Sequence, residues 1–239
     1  MRAHAKRGFT LIEVLIVVGL IVILTGFVSV SLGGRGGQGA ALASAQSIVS
    51  GLVSATRSQA ILNQTNARLL VYAQNPTGGL DNTRYMRALQ IVREEQPDTG
   101  VWIAVGDVVL LPSPVCVVPP APVPTTQLAP GVTWSVDTAN GPFSTLTRIN
   151  MTYRGQAGQA PAAQGQYFGS TGAARSVYYL QFGLSGTLTL PAAGVAKIAL
   201  SPAILSNSEF PRFTNNNTIR GISIRRTGAV TLVDEANGF

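Results

Sequence analysis

Residues 9–32, FTLIEVLIVVGLIVILTGFVSVSL, form an apolar run of 24 residues with a single charge, Glu13. Wound as a helix it would be about 36 Å long, enough to cross a hydrocarbon core of about 30 Å. Arg2, Lys6 and Arg7 precede it with no acid among them. That asymmetry predicts a cytoplasmic N-terminus, with everything after residue 32 outside. A cleaved secretory signal is the competing reading. The run exceeds the usual apolar stretch of such signals, and Ser29-Val30-Ser31 is the nearest, weak match to a small-x-small cleavage site. A single-pass anchor is the better account.

Glu13 is out of place in such a span. A carboxylate near the middle of a membrane helix costs at least about 2.5–3.5 kcal/mol on insertion, so something must compensate it. The preceding residues suggest what. If the chain were cut between Gly8 and Phe9, the new α-amine of Phe9 would lie one helical turn from Glu13. That amine and the carboxylate of a neighbouring copy could neutralise each other inside a water-poor helix bundle. The pairing would set axial register while apolar faces supply most of the association energy.

Lys6-Arg7-Gly8-Phe9-Thr10-Leu11-Ile12-Glu13-Val14-Leu15 resembles the processing signal of the type IV pilin and type II secretion pseudopilin superfamily. The resemblance implies cleavage at Gly8–Phe9 by a prepilin peptidase, N-methylation of Phe9, and a filament-assembly role for Glu13. Other pilin or pseudopilin subunits and the inner membrane are then the partners. Two further stretches are similar to GspH/FimT-type minor pseudopilins: Ala55-Thr56-Arg57-Ser58-Gln59-Ala60 and Ile224-Arg225-Arg226-Thr227-Gly228-Ala229-Val230. The implied fold is α+β, a long N-terminal hydrophobic helix packed on a β-rich C-terminal domain. The single cysteine rules out the C-terminal disulfide loop of many major pilins, which favours a minor subunit.

The remaining chain fits that outline. After the leader (1–8) and the apolar helix (9–32) comes Gly33-Gly34-Arg35-Gly36-Gly37-Gln38-Gly39. Glycine costs a helix interior up to about 1 kcal/mol relative to alanine, so 33–39 is expected to be a joint. Over 40–66, Leu42, Ala45, Val49, Leu52, Val53, Thr56 and Ala60 fall on one helical face, and Ile61 and Leu62 leave it. Residues 67–239 read as β-structure. Strands are expected at Arg68–Ala73, Tyr85–Val92, Val101–Val105, Leu146–Tyr153, Ser176–Phe182, Thr187–Leu190 and Val195–Leu200, with a terminal hairpin turning at Gly228. Pro112 to Pro130 holds seven of the 14 prolines and should be an extended loop or edge excursion.

Composition excludes most catalysis. One histidine (His4) and one cysteine (Cys116) leave no intrachain disulfide, no Cys/His zinc set and no histidine to activate a nucleophile. Glu94, Glu95 and Asp98 read as a solvated turn, Asp234 and Glu235 lack a calcium-loop spacing, and Cys116 reads as a small buried hydrophobe. The chain is expected to be non-enzymatic, with no cofactor and no metal. The net charge is +7, but losing the leader would leave 14 basic against 10 acidic side chains. Arg220, Arg225 and Arg226 are expected to cluster near the C-terminal hairpin, and the likeness to FimT-type proteins that bind DNA during uptake makes them candidate DNA contacts. The distal domain would meet other subunits, secreted cargo or DNA. An unprocessed single-pass anchored β-domain remains the plain alternative.

Overall fold

The computed structural model describes residues 36–74, 83–123, 127–132, 134, 142–154, 174–192, 194–205, 210–214 and 218–235. Two compact units divide the chain, Met1–Ala40 and Ala41–Phe239; the architecture below is that of the second. The expected leader and membrane helix lie outside the described residues. Among those described, no helix is long and apolar enough to cross a membrane.

The helix, α1 (Gly36–Asn63), starts inside the glycine-rich stretch, so the expected joint is helical from Gly36 onward. Three glycines there disfavour helix, but propagation from the alanine-rich turn that follows adds a backbone hydrogen bond for each residue fixed. The end is capped without glycine. Gln64 takes a left-handed φ of 51°, the Thr65 amide donates to Ala60 O at 3.3 Å, and the Gln64 amide donates to Ile61 O at 3.4 Å. Leu42, Ala45, Val49, Val53, Thr56 and Ala60 are buried as the periodicity predicts, whereas Leu52 is half-buried. Thr56 tolerates burial because its hydroxyl donates to Leu52 O at 2.7 Å.

Two antiparallel sheets follow. The first contains β1 (Ala67–Tyr72), β2 (Ala88–Glu94), β3 (Trp102–Leu110), β5 (Thr147–Met151), β6 (Arg175–Phe182) and β7 (Leu188–Leu190), ordered β3-β2-β1-β6-β5 with β7 on β6. The second runs β11 (Val230–Val233), β10 (Arg220–Arg225), β8 (Val195–Ile204), β4 (Val115–Val117), with β9 (Arg212–Phe213) also on β8. Each expected strand has a counterpart, with shifted limits that have local causes. β2 begins at Ala88 because Met86, at φ 53°, and the bond from the Arg87 amide to Arg84 O turn the chain just before it. β3 runs on past Val105 because Gly106 adopts φ 70° opposite a register shift between Leu89 and Ile91. Gln90 is fully buried at that bulge, and its Nε2 donates to Gly106 O at 2.9 Å. The proline-rich stretch does make an edge excursion: β4 pairs with β8 at the rim of the second sheet, where missing amide donors are tolerated.

The first sheet also joins its own edges. Just beyond β5, Arg154 forms a parallel bridge with Ile103 of β3. Its amide donates to Trp102 O at 2.9 Å and its carbonyl accepts from the Ala104 amide at 2.8 Å. Both faces of this sheet are therefore filled. Leu69, Val71, Leu89, Leu180 and Phe182 face the main core with Val49 and Val53 of α1 and Ile198, Ile222 and Ile224 of the second sheet. Leu70, Tyr72, Val92, Trp102, Val177 and Tyr179 form a second cluster on the other face. Burial on both faces explains why β1 and β6 read as nearly continuous apolar runs.

Candidate functional site

Gly8, Phe9 and Glu13, the residues expected to serve processing and assembly, lie outside the described residues. The C-terminal hairpin is described, and it begins with a turn. The Gly228 amide donates to Arg225 O at 2.7 Å, the Arg225 amide donates to Ala229 O at 2.9 Å, and Gly228 sits at φ 80°. This is a three-residue hairpin loop in which Arg226 and Thr227 occupy the tip and glycine takes the left-handed position. Ile222 and Ile224 turn into the core, so Ser223 and Arg225 turn outward, as alternation requires.

The three arginines do not form the cluster that their numbering suggests. Arg225 and Arg226 are exposed side by side at the tip. Arg220 is at the other end of β10, about 17 Å away along the strand, and has the opposite parity. Its Nε lies 3.8 Å from Asp234 Oδ1. With both partners substantially solvated, that pair contributes little to stability. A shallow groove of about 530 Å³ runs along the outer face of the hairpin, with Arg225 at the turn end and Asp234 and Glu235 at the other.

The stretches 55–60 and 224–230 meet in space. Arg57 of α1 lies against Gly228: a Cβ added there would come within 2.7 Å of Arg57 Cδ and Nε and 2.9 Å of Gly186 O. Arg57 Nε donates to Gly186 O at 3.1 Å, and Gly186, at φ 72°, leaves room for Ile61. A single guanidinium stem thus holds helix, β6–β7 turn and terminal hairpin together, and both turns need glycine for conformation and for space. The Leu188 amide adds a bond to Arg226 O at 2.8 Å. Farther along α1, buried Gln46 donates through Nε2 to Gly221 O at 2.8 Å and Val233 O at 3.0 Å, tying the helix to both strands of the hairpin. The periodicity left Gln46 unassigned; a lone amide inside an apolar stripe was the available signal.

The remaining candidates separate. Glu94 is buried rather than solvated: its Oε2 accepts from Asn66 Nδ2 at 2.8 Å and from the Asp98 amide at 3.3 Å. Glu95 faces Arg154 at 3.8 Å instead. The expected solvated turn thus holds for its exposed members only, because the last residue of β2 is needed to cap the loop that follows. Cys116 is fully buried in β4, and burial pushes its thiol up to about 12. Arg68, sandwiched 3.9 Å from the Trp102 ring centre and 4.4 Å from that of Tyr179, has its proton affinity lowered by burial. Among the described residues no group of three or more His, Cys, Asp or Glu is placed to hold a metal ion.

One comparison bears on the undescribed end of the chain. Residues 3–29 match the prokaryotic N-terminal methylation motif. Gly8, Phe9 and Glu13 all fall inside that match. A similar solved structure is the type IV minor pilin FimU of Pseudomonas aeruginosa strain PAO1. It has 15% identity, covers 80% of this chain and 87% of that one, and has a TM-score of 0.31. No curated protein matches the chain.

Proposed function

We propose that this chain is a minor subunit of a type IV pilus-like or type II secretion pseudopilus filament. It is made as an inner-membrane prepilin and cut by a prepilin peptidase between Gly8 and Phe9. Phe9 is then N-methylated, and its amine pairs with Glu13 of a neighbouring subunit as the apolar helix enters the filament core. The observation that carries this reading is the methylation motif over residues 3–29 with Glu13 as the one charge in the apolar run. The work is assembly rather than catalysis: the helix is held in register, and the β-domain is displayed to other subunits or secreted cargo. Glu13→Val tests it. Cleavage at Gly8–Phe9 should persist while the amount of subunit recovered in filaments falls about tenfold or more, the loss of a desolvated charge pair. Unchanged incorporation would remove the pairing role.

A second reading, DNA contact during uptake, is favoured by the exposed, adjacent Arg225 and Arg226 at the hairpin tip. Arg220, ion-paired at the far end of β10, would contribute less. Full-length chain in detergent should then bind duplex DNA with an affinity that falls as salt rises, and lose it in the Arg225→Ala, Arg226→Ala variant. Binding that ignores salt, or survives that variant, counts against DNA as the partner.

A further inference from the structure

The second sheet has two rims, and they are finished differently. On one rim, β4 is flanked by Pro112, Pro114 and Pro119, and the Val117 amide donates to Met86 O at 2.7 Å. The first sheet protects β3 in a comparable way through its bridge to Arg154. β11 carries no proline and no lysine, and none of its described residues pairs with a strand beyond β10. Leu232, in its middle, is 56% exposed. An edge of this kind, apolar and with no described strand beyond it, is a template for another strand.

The register fixes which groups are open. Arg225 and Ala229 exchange a hydrogen bond at the turn, and antiparallel pairs alternate from there. Ser223–Thr231 and Gly221–Val233 are then the bonded pairs, so Val230, Leu232 and Asp234 direct their amides and carbonyls away from β10. We infer that β11 pairs edge to edge, antiparallel, with β11 of a second copy of this chain, with Leu232 beside the partner's Leu232. This register uses all three open residues on each side: Val230 meets the partner's Asp234, and Asp234 meets the partner's Val230.

Charge selects a second copy as the occupant. The same register brings Ala229 opposite the partner's Glu235. Arg225 lies beside Ala229 and lines the same outer groove as Glu235. Two strand spacings, about 10 Å, separate the Arg225 backbone from that of the partner's Glu235, a span the two extended side chains close over the small alanine. Two-fold symmetry makes the contact twice, and it keeps the acidic ends of the two strands apart. A register centred on residue 234 would instead place Asp234 against itself and lose most of the overlap. This pairing stands independently of processing at Gly8–Phe9.

Cross-linking of the full-length chain in detergent micelles tests it. The native Cys116 is fully buried and silent, and Leu232 is exposed enough for cysteine to leave the fold intact. In a bonded antiparallel pair the two Cα atoms are about 5.5 Å apart, within the range a disulfide spans. Leu232→Cys should form a disulfide-linked dimer on mild oxidation, about tenfold more than Ile204→Cys, an equally exposed control on β8. Adding Arg225→Glu should cut the yield about tenfold by turning two ion pairs into like-charge contacts, and adding Glu235→Arg as well should restore it. A yield at position 232 no greater than at 204, or one that ignores the charge reversal, overturns the inference.

Discussion

Arg57 shows how much of this domain rests on single atoms. Its stem fills the space that two glycines leave open, so Gly228→Ala meets a steric and a conformational penalty at once. A left-handed φ costs a residue with a Cβ about 1–3 kcal/mol before any clash is counted. Urea unfolding should therefore show Gly228→Ala destabilised by about 2 kcal/mol or more. Arg57→Ala should lose about 1–3 kcal/mol through its hydrogen bond and packing. The double variant should cost less than the sum, because removing Arg57 clears the clash with Cδ and Nε while that with Gly186 O remains. Strict additivity would show that the two residues do not meet.

Two buried acids at this scale predict a pH dependence. Cys116 and Tyr85 have ordinary values of 9.0 and 10.0, and burial raises both to about 12. Each holds its proton in the folded state over a range where the unfolded chain has lost it. Their contribution to stability is therefore complete below pH 9 and is lost as pH rises toward 12. Denaturant midpoints should fall across that window, and Cys116→Ala should flatten the fall even though it costs some packing. A fall of equal steepness in Cys116→Ala would remove the thiol from the account.

Among elements, α1 and the terminal hairpin form the joint on which the candidate surface depends. Gln46 ties them by donating to both strands. Gln46→Ala removes a second donor from each of the Gly221 and Val233 carbonyls and, with two hydrogen bonds lost, should cost about 1–3 kcal/mol. Amide exchange should quicken in β10 and β11 before it does in β1 or β6; uniform quickening would contradict a local tie. This tie also marks where sequence reading stops. Helical periodicity located the buried stripe and alternation located the hairpin, since both are local patterns of side-chain polarity. The bulge at Gln90, the bridge from Arg154 to Ile103 and the burial of Glu94 depend on partners distant in sequence, and no local pattern encodes them. The numbering of Arg220, Arg225 and Arg226 suggests a cluster, but a strand length of about 17 Å separates the first from the other two, and strand parity also turns it away from Arg225. The glycine-rich stretch read as a joint because its intrinsic cost was visible, while the cooperative gain of extending an existing helix was not.

For the whole molecule, a β-domain with its own core follows an apolar run whose one charge, Glu13, conflicts with the residues around it in sequence. The two parts were legible to different degrees. The expected processing signal is a contiguous run, legible residue by residue, and the match to the N-terminal methylation motif spans residues 3–29. The joined edges of the first sheet, and the β11 edge with no described strand beyond it, follow only from the assembled fold. The account turns on whether Glu13 acquires a cationic partner by cleavage of the leader. Intact-mass analysis of the native chain extracted from membranes decides this most directly. The mature chain should begin at Phe9 and carry one added methyl group, and a chain that still carries Met1 to Gly8 would contradict the account.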